Sequence, residues 1–180
     1  MALSHAIMTA LLEEEYTGYE LAKYFDSTMG FFWRASHQQI YQELRKMADK
    51  GWLSACTVEQ LGKPNKVIYS LTALGKATLD DWILDTAKLQ PAKDDFMIKL
   101  YNVGHCDIDP ILAELSDRRK FAEEQLELYQ RIRKKQFSHP NKLPDTKKGV
   151  YLALKVGIGQ MEFLLQWSEE AQKLLATVKP

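Results

Sequence analysis

Between Ser36 and Lys46 the chain reads SHQQIYQELRK, which gathers Gln38, Gln39 and Gln42 just ahead of Arg45 and Lys46. A carboxamide donates and accepts hydrogen bonds at once, as reading the edge of a base pair requires, and glutamine can pair bidentately with adenine. Arginine and lysine suit guanine or phosphate. A merely solvated helix face is more often built from Glu and Lys, so two readings compete: an ordinary polar surface and a base-reading one. A second cluster, Lys63, Asn65 and Lys66 in GKPNK, suits a phosphate backbone or a minor groove, with a solvated turn as its alternative. Arg34 just ahead of this stretch could add a phosphate contact, and Ser36 and His37 at its head join the candidate set. The hydroxyls of Tyr19 and Tyr41 could donate to phosphate; partial core packing is the competing role.

Other chemistry is absent. His105-Cys106-Asp107 has no companion pair at metal spacing and reads as a turn. No nucleophile–base set or phosphate loop is present, so neither an enzyme nor a bound cofactor or metal is expected. Cys56 and Cys106 stand far apart, which fits two free thiols in a reducing cytoplasm. No apolar run reaches the roughly 20 residues that span a bilayer, and the N-terminus lacks the basic start of a signal peptide. The 24 Lys and Arg balance the 24 Asp and Glu, so any positive face must come from local clustering.

The elements that hold these residues follow from period and punctuation. Ser4 is placed to cap a first helix with Ile7, Ala10 and Leu11 inward. Thr17-Gly-Tyr-Glu20 fits a capping box opening a second helix, which ends near Gly30. Ser36-His-Gln-Gln39 fits another, so a third helix spans about Ser36–Lys50, with Ile40, Leu44 and Met47 inward and Gly51 as its stop. The period then changes: WLSACTVE and KVIYSL are β-compatible, and LGKPN turns between them. Thr72 caps a fourth helix. Helix–helix–helix–hairpin–helix is the order of a winged helix-turn-helix, assigned to residues 1–89.

Residues 90–180 form a second, helical domain. A short helix ends at Gly104, Asp109 as cap with Pro110 at the first helical position opens a long one running to about Phe137, and SHPNKLPD separates it from a last helix over about 146–178. Two long helices with such broad apolar stripes cannot cover each other alone, and a second copy is the simplest cover. The contact between copies is assigned to Leu154, Ile158, Met161 and Leu165, with Gly157 allowing close approach. The fold expected is therefore mainly α: an N-terminal winged helix-turn-helix with a two-stranded β wing, then a C-terminal long-helix dimerisation domain.

TGYELAKYF, SHQQIYQELRKMADKGWLS and GKPNKVIYSLTALGK together resemble the PadR family of bacterial transcriptional regulators. FFWRASHQQIYQEL and the two long C-terminal helices resemble its virulence-activator, AphA-like branch. The resemblance implies a sequence-specific homodimeric regulator, with the third helix in the major groove of double-stranded promoter operator DNA and the wing on the backbone. It also implies a phenolic or drug-like small-molecule effector between the domains, near aromatic residues such as Trp33, Trp82 and Tyr101, for which ordinary core and interface packing is the competing role. A second regulator or RNA polymerase is carried as a further candidate partner. The functional alternative is a winged-helix protein-interaction module that never touches DNA, which the acidic run Glu13, Glu14 and Glu15 with Asp26 keeps open.

Overall fold

Helix starts are set by side chains that satisfy free backbone N–H groups, and two of them frame the site. In the computed structural model, which describes residues 2–29, 33, 35–60, 62, 65–86 and 93–178, α1 (Ala2–Ala10) leads through a turn into β1 (Tyr16–Thr17) and α2 (Gly18–Tyr24). Thr17 heads α2 with a complete capping box: its hydroxyl accepts from the Glu20 N–H at 3.2 Å, and its own N–H donates to the Glu20 carboxylate at 2.9 Å. A turn of π-helix over Phe25–Met29 extends α2. Ser36 repeats the device at α3 (His37–Asp49), with Gln39 as its return partner.

The far end of α3 is closed by Gly51, whose φ of +71° suits only a residue without Cβ strain. The Trp52 N–H reaches back to the Met47 carbonyl at 2.9 Å and the Gly51 N–H to Ala48 at 2.9 Å, the paired bonds of a Schellman stop. β2 (Leu53–Val58) and β3 (Lys66–Leu71) follow as an antiparallel hairpin, and α4 (Ala73–Leu84) after it. Thr72 joins the two ends of the wing: its hydroxyl caps α4 through the Gly75 N–H and donates to the carbonyls of Gly51 and Trp52. Gly75 is required there, since a Cβ would stand 2.2 Å from the Trp52 carbonyl oxygen.

The sheet has three strands in the order β1-β3-β2. β1 pairs Tyr16 with Tyr69 and Thr17 with Ile68, so the chain entering α2 is pinned to the wing. Ile7, Met8, Leu21, Phe25, Ile40, Leu44, Met47 and Leu79 form the buried core of this unit.

The chain divides into two compact units, residues 1–89 and 90–180. In the second, α5 (Asp95–Leu100) precedes the long helices α6 (Asp109–Gln136) and α7 (Asp145–Leu175), which a 3-10 turn at Pro140–Lys142 separates. α6 and α7 pack along one another, and Phe96, Ile108, Ile111 and Leu115 bury against Trp167, Ala171 and Leu175. Arg118 ties α5 to α6. It lies over the Phe96 ring at 4.4 Å and donates to both oxygens of Asp94, at 2.6 and 2.8 Å.

Two expectations are corrected. Ser4 does not cap α1, which begins at Ala2; it is buried inside the helix. Asp109 is the first residue of α6 rather than its cap, and its N–H is taken by the Asp107 carboxylate at 3.1 Å. Of the residues assigned to the contact between copies, Leu154, Gly157 and Ile158 are buried in the single chain and Met161 and Leu165 are half-buried.

Candidate nucleic-acid interface

α3 buries Ile40, Leu44 and Met47 and leaves the rest of its surface open. At about 100° per residue, Gln38, Gln42, Arg45 and Asp49 fall on the side opposite that stripe, and all four are exposed. Among the described residues, the side chains of Gln38, Gln42 and Arg45 have no hydrogen-bond or ion-pair partner. A row of uncommitted amide and guanidinium groups on a rigid, doubly capped helix is what base edges and phosphates could engage.

The neighbouring residues are committed to structure. The Gln39 side-chain Oε1 accepts from the Ser36 N–H at 2.8 Å, and the Ser36 hydroxyl accepts from the Gln39 backbone N–H at 3.2 Å. These two therefore hold the helix start rather than stand free for a ligand. His37 is engaged as well, its Nε2 lying 3.2 Å from the Asp26 carboxylate. That contact anchors the head of α3 to the π turn after α2. Lys46 lies 3.9 Å from the Glu43 carboxylate and remains exposed.

Tyr41 flanks the open row. A Cβ on Gly18 would stand 2.4 Å from its ring, so the first residue of α2 must be glycine for the two helices to meet. The ring packs there while 41% of the residue stays exposed. Tyr19, one residue on, is 62% exposed. Lys66 at the start of β3 and Asn65 before it are also exposed. Lys66 is electrically close to the α2 cap: the Glu20 carboxyl is held below its ordinary range first by the Thr17 backbone N–H, then by the Thr17 hydroxyl, with the Lys66 charge adding to both. Tyr19, Tyr41 and Lys66 thus belong to one neighbourhood around the start of α2. Arg34 and Lys63 lie outside the described residues.

The carboxylates before β1 are partly organised too. The Tyr16 hydroxyl donates to Glu14 at 3.1 Å, and burial, followed by that bond and the nearby charge, pushes the Tyr16 pKa up to about 12. Of the aromatic residues named for an effector, Trp33 packs partly buried on the core of the first unit. Trp82 stacks on His5 at 4.3 Å, and Tyr101 stands 88% exposed in the second unit. Cys56 and Cys106 are free and exposed, and no cluster that could hold a metal ion occurs among the described residues. Among the described residues no helix is long and apolar enough to cross a membrane.

Sequence reasoning missed β1, the Tyr41–Gly18 contact and the Asp94–Arg118 pair. Gly18 between a capping threonine and a tyrosine was the one signal available for the second of these.

A three-helix unit closed by a β hairpin, followed by a pair of long helices, defines the class of winged helix-turn-helix transcriptional regulators. Residues 7–81 match the "Transcriptional regulator PadR-like family" and residues 92–176 the "Virulence activator alpha C-term" family. Across 97% of its length the chain is 35% identical to "Probable transcriptional regulator Rv1176c" of Mycobacterium tuberculosis, of which it covers 98%. The chain belongs to the PadR family of transcriptional regulators, in its AphA-like branch. It is 39% identical to "Negative transcriptional regulator PadR" of Bacillus subtilis over 57% of each protein. That PadR in complex with operator DNA matches it with a TM-score of 0.79 at 30% identity, over 99% of this chain and 100% of the other. The same PadR in complex with p-coumaric acid matches with a TM-score of 0.76 at 27% identity, over 98% and 99%. The Vibrio cholerae virulence activator AphA matches with a TM-score of 0.82 at 28% identity, over 98% and 99%.

Proposed function

We propose that the protein is a cytoplasmic, sequence-specific DNA-binding regulator that acts as a homodimer, with α3 in the major groove of operator DNA and the wing on the backbone. The observation that carries this reading is the exposed, unpartnered row of Gln38, Gln42 and Arg45 on a helix capped at both ends. Lys46, Asn65, Lys66 and the Tyr19 and Tyr41 hydroxyls supply phosphate contacts around it, joined by Arg34 and Lys63. Ser36, His37 and Gln39 serve the interface by fixing the start of α3. Residues 1–89 are the DNA-binding domain and 90–180 the dimerisation domain.

The contact between copies runs along the outer face of α7. Leu152, Val156 and Phe163 are 60%, 58% and 67% exposed, and beside them Gly159 has open space where a Cβ would lie. At about 100° per residue the four fall within about 60° of arc, opposite the buried face of Leu154 and Ile158. A phenolic effector is proposed by analogy with the p-coumaric acid complex of the Bacillus subtilis relative.

The test is a mobility shift on promoter fragments with unlabelled competitor DNA across a salt series. Retention of a discrete complex in excess nonspecific competitor supports the reading. A shift erased by competitor, or none at all, leaves a protein-docking module in its place.

A further inference from the structure

The turn between α6 and α7 concentrates positive charge to a degree that the winged helix does not account for. Residues 131–148 carry seven of the chain's 24 lysines and arginines but only one, Asp145, of its 24 carboxylates. Arg131 lies 4.0 Å from Glu127, and Lys148 is bonded to Asp145 at 2.6 Å. Arg133, Lys134, Lys135, Lys142 and Lys147 are exposed and have no ion-pair partner among the described residues.

These charges sit on a folded platform rather than a loose loop. Phe137 is 3% exposed and packs against Tyr151 at 5.7 Å, while its N–H closes α6 on the Arg133 carbonyl at 2.9 Å. The 3-10 turn is held by the Lys142 N–H on the His139 carbonyl at 3.0 Å. Holding five like charges on so short a stretch is unfavourable unless something opposes it. The negative end of the α6 dipole favours Arg133, Lys134 and Lys135, but Lys147 stands in the first turn of α7, where the dipole favours acids. Among the described residues no carboxylate pairs with these five, so the compensating charge is external.

The kind of partner follows from what the tip lacks. No large hydrophobic side chain is exposed between residues 131 and 148. Insertion into a membrane surface needs an apolar face, and protein contacts are anchored by buried aromatic or aliphatic side chains. A surface of bare cations matches the sugar–phosphate backbone, where binding comes from counterion release and needs no apolar anchor.

We propose that this tip is a second, sequence-independent contact for the backbone of duplex DNA, separate from the winged helix. It rests on the DNA-binding function proposed above. The test uses the full chain and a 60-base-pair duplex of arbitrary sequence, about 200 Å long at 3.4 Å per pair, with affinity measured by fluorescence anisotropy between 50 and 200 mM salt. The variant Arg133→Gln/Lys134→Gln/Lys135→Gln/Lys142→Gln changes four exposed side chains. It should flatten the slope of log affinity against log salt by about 3 to 4, at about 0.9 per phosphate contact. Lys134→Arg/Lys135→Arg/Lys142→Arg, which keeps the charge, should hold the wild-type slope and guards against a folding artefact. Arg45→Ala should weaken the winged-helix contact independently. Equal slopes for wild type and the four-glutamine variant, while Arg45→Ala weakens binding, would overturn this proposal alone. A wild type that holds no DNA at any salt would overturn the DNA-binding reading and this one with it. Tip-dependent capture of phosphatidylserine vesicles or polyglutamate, with an unchanged DNA slope, would also overturn it.

Discussion

Replacing Phe163 by Ala should dissociate the proposed dimer without unfolding the chain, and the size of the effect can be worked from its exposure. Complete burial of a phenylalanine is worth about 1.5–3 kcal/mol. With 67% of Phe163 exposed in the single chain, roughly two-thirds of that, about 1–2 kcal/mol, remains to be gained on association. In a two-fold dimer the substitution strikes twice, so about 2–4 kcal/mol is lost. At 1.4 kcal/mol per tenfold, this weakens the dimer by about thirty- to a thousandfold. Sedimentation equilibrium across protein concentration measures it directly. The control is Ile158→Ala, on the opposite face and 6% exposed. It should leave a cavity inside the chain, costing about 2–5 kcal/mol of stability, and move the thermal midpoint first. A Phe163→Ala protein that self-associates like wild type, or a wild type that is monomeric at micromolar concentration, would refute the outer-face assignment. If Ile158→Ala alone dissociated the dimer at unchanged stability, the contact would lie on the inner face after all.

Gln42→Ala should lower operator affinity by about 1–3 kcal/mol while sparing nonspecific binding, read by competition mobility shift. Gln39→Ala should instead cost about 0.5–1.5 kcal/mol of stability through the lost return bond to the Ser36 N–H, read by urea denaturation, because its side-chain amide is already engaged there. In the second unit, Arg118 holds Asp94 below the ordinary carboxylate range, and Lys99, then Arg118, do the same for Glu114. Carboxylates with depressed pKa values stabilise the fold above their unfolded values and lose that contribution as pH falls through the folded ones. Thermal stability of the wild type should therefore drop as pH falls below about 4, and Arg118→Ala should make that acid dependence shallower. Titration calorimetry with p-coumaric acid should give saturable heat and a loss of operator affinity; neither would appear if the aromatic residues serve packing alone.

What could be read from residue order was the part governed by local chemistry. Thr17 with Glu20, Ser36 with Gln39, Thr72 before α4 and Gly51 after α3 each mark a boundary through bonds within a few residues, and each stands where its pattern places it. β1 was not legible because two residues carry no period; Tyr16 and Thr17 become a strand only by pairing with β3. Ser4 misled for a related reason. A serine near a helix start reads as a cap, yet burial among α1 neighbours depends on what packs there.

The sidedness of α7 shows where such reading stops and why. The helix carries two apolar stripes, one through Leu154, Ile158, Met161 and Leu165 and one through Leu152, Val156 and Phe163, and both satisfy the same periodicity. Glycines mark each, Gly157 on the first and Gly159 beside the second. Hydrophobic spacing specifies that a face will be buried, not by which neighbour. Only the folded chain decides it: Leu154 and Ile158 are buried there, while Leu152, Val156 and Phe163 stay exposed. The same logic separates the three glutamines. Gln38, Gln39 and Gln42 are alike in sequence, but the capping bond to Ser36 engages Gln39 and leaves the other two uncommitted. In both cases the surface proposed for function is what remains after the fold has satisfied itself.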